Sequence, residues 1–234
     1  MNLHINKEEF DFLMTLQSED YVFGSHLYGT NTENSDKDIL HIVSDDWDGW
    51  VEESITLPST LLQYKDVENN VDHIFVTRTQ FITNLDEGES TIYPDIIMFS
   101  GEKFWDNDFE QIFTYKILKC YLGLAKRDLK QYKEGYHKLL HASRCLHIVH
   151  HILFNRTLPT KKLVQEYYQR DDSIEYLKEL EQTLRKELNS LFEKDEIKMY
   201  RTIRSKEEND NSVIETLYLK LINSRNIKNF TYNT

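Results

Sequence analysis

Apolar and polar positions follow two textures along this chain. Up to about residue 100, short apolar runs alternate with turn-forming residues; after Phe104 the apolar positions recur every three or four residues. The first texture predicts strands and the second helices. An opening helix over Lys7 to Leu16 precedes strands at 21–24, 38–43, 60–65 and 72–77. The last two strands join at Val67-Glu68-Asn69-Asn70, where Asn tolerates turn conformations. Thr79-Gln80-Phe81 opens a helical segment ending near Gly88, and further helices are predicted over 108–118, 119–134, 136–155, 174–194 and 207–223. In 174–194, Leu177, Leu180, Leu184, Leu188 and Leu191 form one apolar stripe. Gly101 and Gly135 are natural breaks. The pattern predicts an α+β fold, a small mixed sheet followed by an all-helical lobe, with domains at 1–103 and 104–234.

Composition sharpens this picture. At 234 residues the chain can bury a full core. Its net charge of −12 hides a division: residues 1–110 carry 24 acidic and 5 basic side chains, residues 111–234 carry 16 and 23. A carboxylate-rich half joined to a basic half suits a substrate made of phosphates. The densest basic stretch, Lys116 to Lys138, reads as either a solvated face or a nucleic-acid contact. Cys120 and Cys145 make no disulfide framework, which points to a reducing, cytoplasmic setting. The charged N-terminal stretch does not read as a signal peptide, and no apolar run reaches the roughly 18 residues of a membrane span.

The most informative stretch is Phe23-Gly-Ser-His-Leu-Tyr-Gly-Thr-Asn-Thr-Glu-Asn-Ser-Asp-Lys-Asp38. Asp36 and Asp38 head an apolar strand, and a strand's period of two points them to the same side. Carboxylates so placed repel each other unless a hard cation lies between them, and Mg²⁺ is the cation that shares carboxylates with substrate phosphates.

Gly-Ser followed by Asp-x-Asp resembles the nucleotidyltransferases of the DNA polymerase β superfamily. The longer run, Gly-Ser-x-x-Tyr-Gly-Thr then Ser-Asp-x-Asp, is more narrowly similar to the RNA-ligase-associated potential nucleotidyltransferases, RlaP. The resemblance implies a two-metal site for Mg²⁺, or alternatively Mn²⁺, with a third carboxylate on a neighbouring strand. Asp72 is the best candidate, since it opens the strand at 72–77 and shares parity with Ile74 and Val76; Asp66 and Glu68 lie in the preceding turn. It further implies that Gly24, Ser25 and Ser35 hold the nucleotide, Gly24 by close backbone approach and Ser25 by its hydroxyl. The segment Gly88 to Asp95 resembles the family's connection from sheet to helices and reads as structural. Two positions depart from the family: His26 stands where Arg is common, and Leu40-His41 where many members carry Gly.

The helix at 136–155 carries a second constellation. Lys138 and His141 fall inside its apolar arc and Arg144 at the border, where polar groups must be paired or meet something wet. Lys-x-x-His-x-x-Arg is similar to a motif in the helical part of RlaP-like proteins, which implies phosphate contacts by Lys138, His141 and Arg144. The same wheel also allows a core histidine and a lysine that snorkels out. The five histidines between 137 and 151 spread around the helix, so a structural zinc is not expected.

Together these features predict a Mg²⁺-dependent nucleotidyltransferase moving a nucleoside monophosphate from a triphosphate to an acceptor hydroxyl. The resemblance favours an RNA or tRNA end in RNA repair. A protein hydroxyl, or a module that binds nucleotide or RNA without reacting, are the alternatives.

Overall fold

The computed structural model describes residues 2–43, 61–100, 115–155 and 158–193. The helix expected at 207–223 and the first residues of the one at 108–118 lie outside them.

Five strands form one mixed sheet: β1 (Asn2–His4), β2 (Ser18–Phe23), β3 (Lys37–Val43), β4 (Leu61–Asp66) and β5 (Val71–Thr77), in the order β1-β4-β5-β3-β2. β3 runs parallel to β5 and antiparallel to β2, while β4 is antiparallel to β5 and parallel to β1. The turn between β4 and β5 places Asn70 at φ +52°, and the Asp66 carboxylate accepts from the backbone and side-chain amides of Asn69. A tight hairpin thereby sets Lys65 opposite Asp72.

Eight α-helices complete the described residues: α1 (Lys7–Leu13), α2 (Gly24–Tyr28), α3 (Arg78–Glu87), α4 (Ile92–Phe99), α5 (Tyr115–Lys130), α6 (Tyr136–Asn155), α7 (Lys161–Tyr168) and α8 (Ile174–Glu193). Capping boxes start α1 at Asn6 with Glu9, and α3 at Thr77 with Gln80. Gly88 ends α3 at φ +64°, where a Cβ would lie 2.7 Å from the backbone of Lys116.

The expected α+β architecture, a sheet core with a helical C-terminal part, is the one observed. Local details differ. α1 stops at Leu13, three residues short of the apolar pattern, and its last turn passes into Thr15 and Leu16 through tighter backbone bonds. The expected break at 118/119 is absent, because Leu118, Tyr121, Leu122 and Ala125 continue one buried stripe through a single α5. Residues 92–99 form a helix where a structural connection was expected; six of its eight residues are buried. β1, α2 and α7, three to eight residues each, escape a pattern that needs longer windows.

The two faces of the sheet have separate cores. Phe10 and Leu13 of α1 pack with Val43, Leu62 and Phe75 on one face. On the other, Leu40, Ile42, Ile74 and Val76 join one continuous core that runs through α3 to α8 and ends at Leu191. Polar groups interrupt the α1 face. Asp20 bonds His41 Nδ1 at 2.7 Å, and His41 Nε2 meets His73 Nδ1 at 2.8 Å, with both rings buried. Burial, then the neighbouring His41, hold the His73 pKa below its ordinary value.

Candidate active site

β3 delivers Asp38 in register with two partners at once, Phe23 on β2 and Asp72 on β5. Asp38, Leu40 and Ile42 share parity, as do Asp72, Ile74 and Val76, so both carboxylates lie on the face that bears the main core. Asp36 precedes β3 by one residue. One carboxylate oxygen from each of Asp36, Asp38 and Asp72 lies within 4.8 Å of the other two. Among the described residues this is the one cluster of three or more candidate ligands.

The cluster is electrostatically loaded. Burial, then Asp36 and Asp72, push the Asp38 carboxyl up to about 7. Asp72 Oδ1 is buried without a hydrogen-bond partner. Oxygen-only donors, mutual repulsion and a buried orphan oxygen are what a hard divalent cation satisfies, so the residues present fit such an ion. Lys65 Nζ lies 3.4 Å from Asp72 Oδ2 and 4.0 Å from Asp36 Oδ2. Asp66 is occupied in its turn and stands outside the cluster.

Gly24 ties the cluster to a cleft. Its φ of +65° favours glycine, and a Cβ there would fall 2.3 Å from Asp38 Oδ2. The backbone can therefore run against the carboxylate only without a side chain. From Gly24 and Ser25 an open cleft of ≈ 190 Å³ extends to Arg127, His141, Arg144 and Tyr168 in the helical part. Residues from the sheet-bearing part and from the helical part thus line one space.

On the cleft wall three helices, α2, α5 and α6, bring partners to Asp95 of α4. The hydroxyls of Tyr28 and Tyr121 both donate to its buried carboxylate, and Arg144 Nη1 lies 3.8 Å from Oδ2. Burial holds the Asp95 pKa above the usual carboxylate range, although Arg144 and the two tyrosines act the other way. The Arg144 guanidinium stacks 4.0 Å over the Tyr28 ring, and its Nε and Nη1 are buried without hydrogen-bond partners. Arg144 is therefore a core element that also lines the cleft, with two buried donors lacking hydrogen-bond partners.

The other sequence candidates are placed as follows. His141 lines the cleft, with Nδ1 3.7 Å from the buried Asp128. Lys138 Nζ lies 4.0 Å from Asp128 and does not line the cleft. Arg127, which does, also pairs with Asp128 at 3.2 Å. Ser35 Oγ accepts from the Thr32 backbone amide at 2.9 Å, holding the loop that leads into Asp36. His26 Nε2 is buried without a partner. His147 bonds Asp172 at 2.9 Å, so it serves the packing of α6 against the start of α8.

Sequence reasoning did not bring Asp95 or Lys65 to the site, and held Arg127 only as part of the basic stretch Lys116 to Lys138. Hairpin register was the available signal for Lys65, since a turn at 67–70 sets it against Asp72. Asp95 sits inside the strongly apolar helix Ile92–Phe99, where a lone carboxylate demands partners.

No family profile matches this chain, and no curated protein matches it. A solved structure, that of a nucleotidyltransferase-like protein from Exiguobacterium sibiricum 255-15, is similar over 87% of this chain and 79% of its own. The TM-score is 0.31 and the identity 12%, so the likeness carries no argument for fold or function. No helix among the described residues is long and apolar enough to cross a membrane.

Proposed function

We propose that the chain is a divalent-metal-dependent nucleotidyltransferase that moves a nucleoside monophosphate from a triphosphate to an acceptor hydroxyl. The single observation that carries this reading is the convergence of Asp36, Asp38 and Asp72, with Asp38 against Gly24, which itself lines a cleft whose far wall holds Arg127, His141 and Arg144.

Asp36, Asp38 and Asp72 hold the cation, Mg²⁺ or Mn²⁺. When bound, it polarises phosphoryl oxygens and lowers the pKa of the attacking hydroxyl. The chain supplies the rest. Gly24 lets the backbone approach the triphosphate, and Ser25 donates its hydroxyl to a phosphate oxygen. Arg144, His141 and Arg127, which line the cleft, offset the charge of the polyphosphate. In the transfer the acceptor oxygen bonds to the α-phosphorus, the bond to pyrophosphate breaks, and the hydroxyl proton passes to solvent.

The acceptor we favour is an RNA end. Lys126, Lys130 and Lys133 are exposed on the stretch that presents Arg127 to the cleft, a surface suited to a phosphate backbone. The test is to incubate the pure protein with each labelled triphosphate, Mg²⁺, and either total RNA or a lysate, alongside Asp36→Asn. Label in RNA that depends on Asp36 supports the reading. Label in protein would move the acceptor to a side-chain hydroxyl. Triphosphate binding without transfer to either fraction would reduce the chain to a binding module.

A further inference from the structure

We propose that Lys65 is a tethered counter-cation for the acidic cluster: it holds Asp36 and Asp72 together in the metal-free protein and competes with the divalent ion for them. The inference rests on the metal-site reading above and deepens it, because it assigns to this chain a residue that sets how tightly the site takes its ion.

Three observations carry it. The hairpin register fixes Lys65 opposite Asp72, so the ammonium group arrives by backbone pairing and on the same face as the carboxylates. Its Nζ reaches two of the three carboxylates, Asp72 Oδ2 at 3.4 Å and Asp36 Oδ2 at 4.0 Å. Its side chain is 53% exposed, against 15% for that of Asp72, so the lysine can swing into water while the carboxylate stays in place. A flexible four-carbon stem makes that exchange inexpensive.

The consequence is a competition between a fixed monovalent charge and a diffusible divalent one. An ion entering among Asp36, Asp38 and Asp72 must either displace the ammonium group from Asp72 Oδ2 or bind within its repulsive field. Either course weakens ion binding by the value of a half-exposed pair, about fivefold at low salt. Lys65 is a positioning residue here, since it acts on the carboxylates and not on the reacting atoms.

The experiment measures Mn²⁺ binding by loss of the free-ion paramagnetic resonance signal, for the wild type, Lys65→Met and Lys65→Arg at low and high salt. Melting temperature in chelator is read on the same samples. Lys65→Met should bind Mn²⁺ about fivefold tighter at low salt, with the gap narrowing at high salt. It should also melt below the wild type in chelator, whereas Lys65→Arg should track the wild type in both readouts. Unchanged or weaker Mn²⁺ binding by Lys65→Met, with the wild type binding normally, overturns the counter-cation role alone. Absence of Mn²⁺ binding by the wild type, matched by Asp36→Asn, overturns the metal site and this role with it. Should Lys65→Met fail to fold, Lys65→Gln carries the same comparison.

Discussion

Gly24 and Asp38 occupy nearly the same place: the carboxylate of one fills the space where a side chain of the other would begin. A Cβ at residue 24 would stand 2.3 Å from Asp38 Oδ2, on a backbone already at φ +65°. The glycine is therefore a condition for the carboxylate's position. Gly24→Ala should cost about 1–2 kcal/mol from backbone conformation alone. Displacement of Asp38 should also abolish Mn²⁺ binding. Calorimetry and a metal titration on one variant check both; retained binding would mean that the carboxylate has freedom this geometry denies it.

Asp38 should make the metal-free protein less stable as pH rises. Its folded pKa of about 7 exceeds the ordinary value of 3.8, so its favourable contribution is complete below 3.8 and is lost as pH rises through 7. Asp38→Asn removes that loss. In chelator the variant should match the wild type near pH 4 and exceed it by about 1–2 kcal/mol at pH 8, a figure reduced for partial exposure to solvent. Urea unfolding at the two pH values measures the difference. A variant less stable than the wild type at pH 8 would show that this carboxylate serves the fold.

Arg144 should matter to stability and binding together. It is 4% exposed, stacked on Tyr28 and adjacent to Asp95. Arg144→Ala should cost about 3 kcal/mol at neutral pH, because a buried carboxylate loses its counter-charge. Burial already raises the Asp95 pKa, and losing Arg144 raises it further, so the deficit should grow with rising pH and shrink in acid. Triphosphate affinity should fall in parallel, since Arg144 lines the cleft. Unchanged affinity with a large fall in melting temperature would confine Arg144 to the core.

His73 should contribute to acid lability. Its folded pKa is depressed from 6.5, so its contribution is present above that value and disappears as pH falls through the folded one. The wild type should lose stability below pH 6.5 more steeply than His73→Leu, whatever the absolute stability of the variant. Parallel slopes between pH 6.5 and 5 would show that the histidine takes up its proton alike in the folded and unfolded states.

Much of the candidate site was legible because it is built from short-range rules. Period-two spacing pointed to Asp36 and Asp38 as one group, whereas Asp72 comes level with Asp38 through the register of β5 on β3. That adjacency comes from long-range pairing, which no local pattern encodes. Asp95 and Arg127 were hidden for the same reason. Their roles depend on partners 67 positions away at Tyr28 for the first, and on a cleft formed with distant Gly24 for the second. Short elements were lost to a different cause: α2 has five residues and β1 three, too few for a period to register.

The core that joins Tyr21 to Leu191 without interruption has a thermodynamic corollary. Gly24 and Arg144 belong to walls that pack on the same interior, so the chain has no cheap way of losing one wall while keeping the other. Ligand held between them binds only while that interior is intact. Binding free energy gained at the cleft should then appear as resistance to unfolding of the described residues that share this core, readable at amides far from any contact.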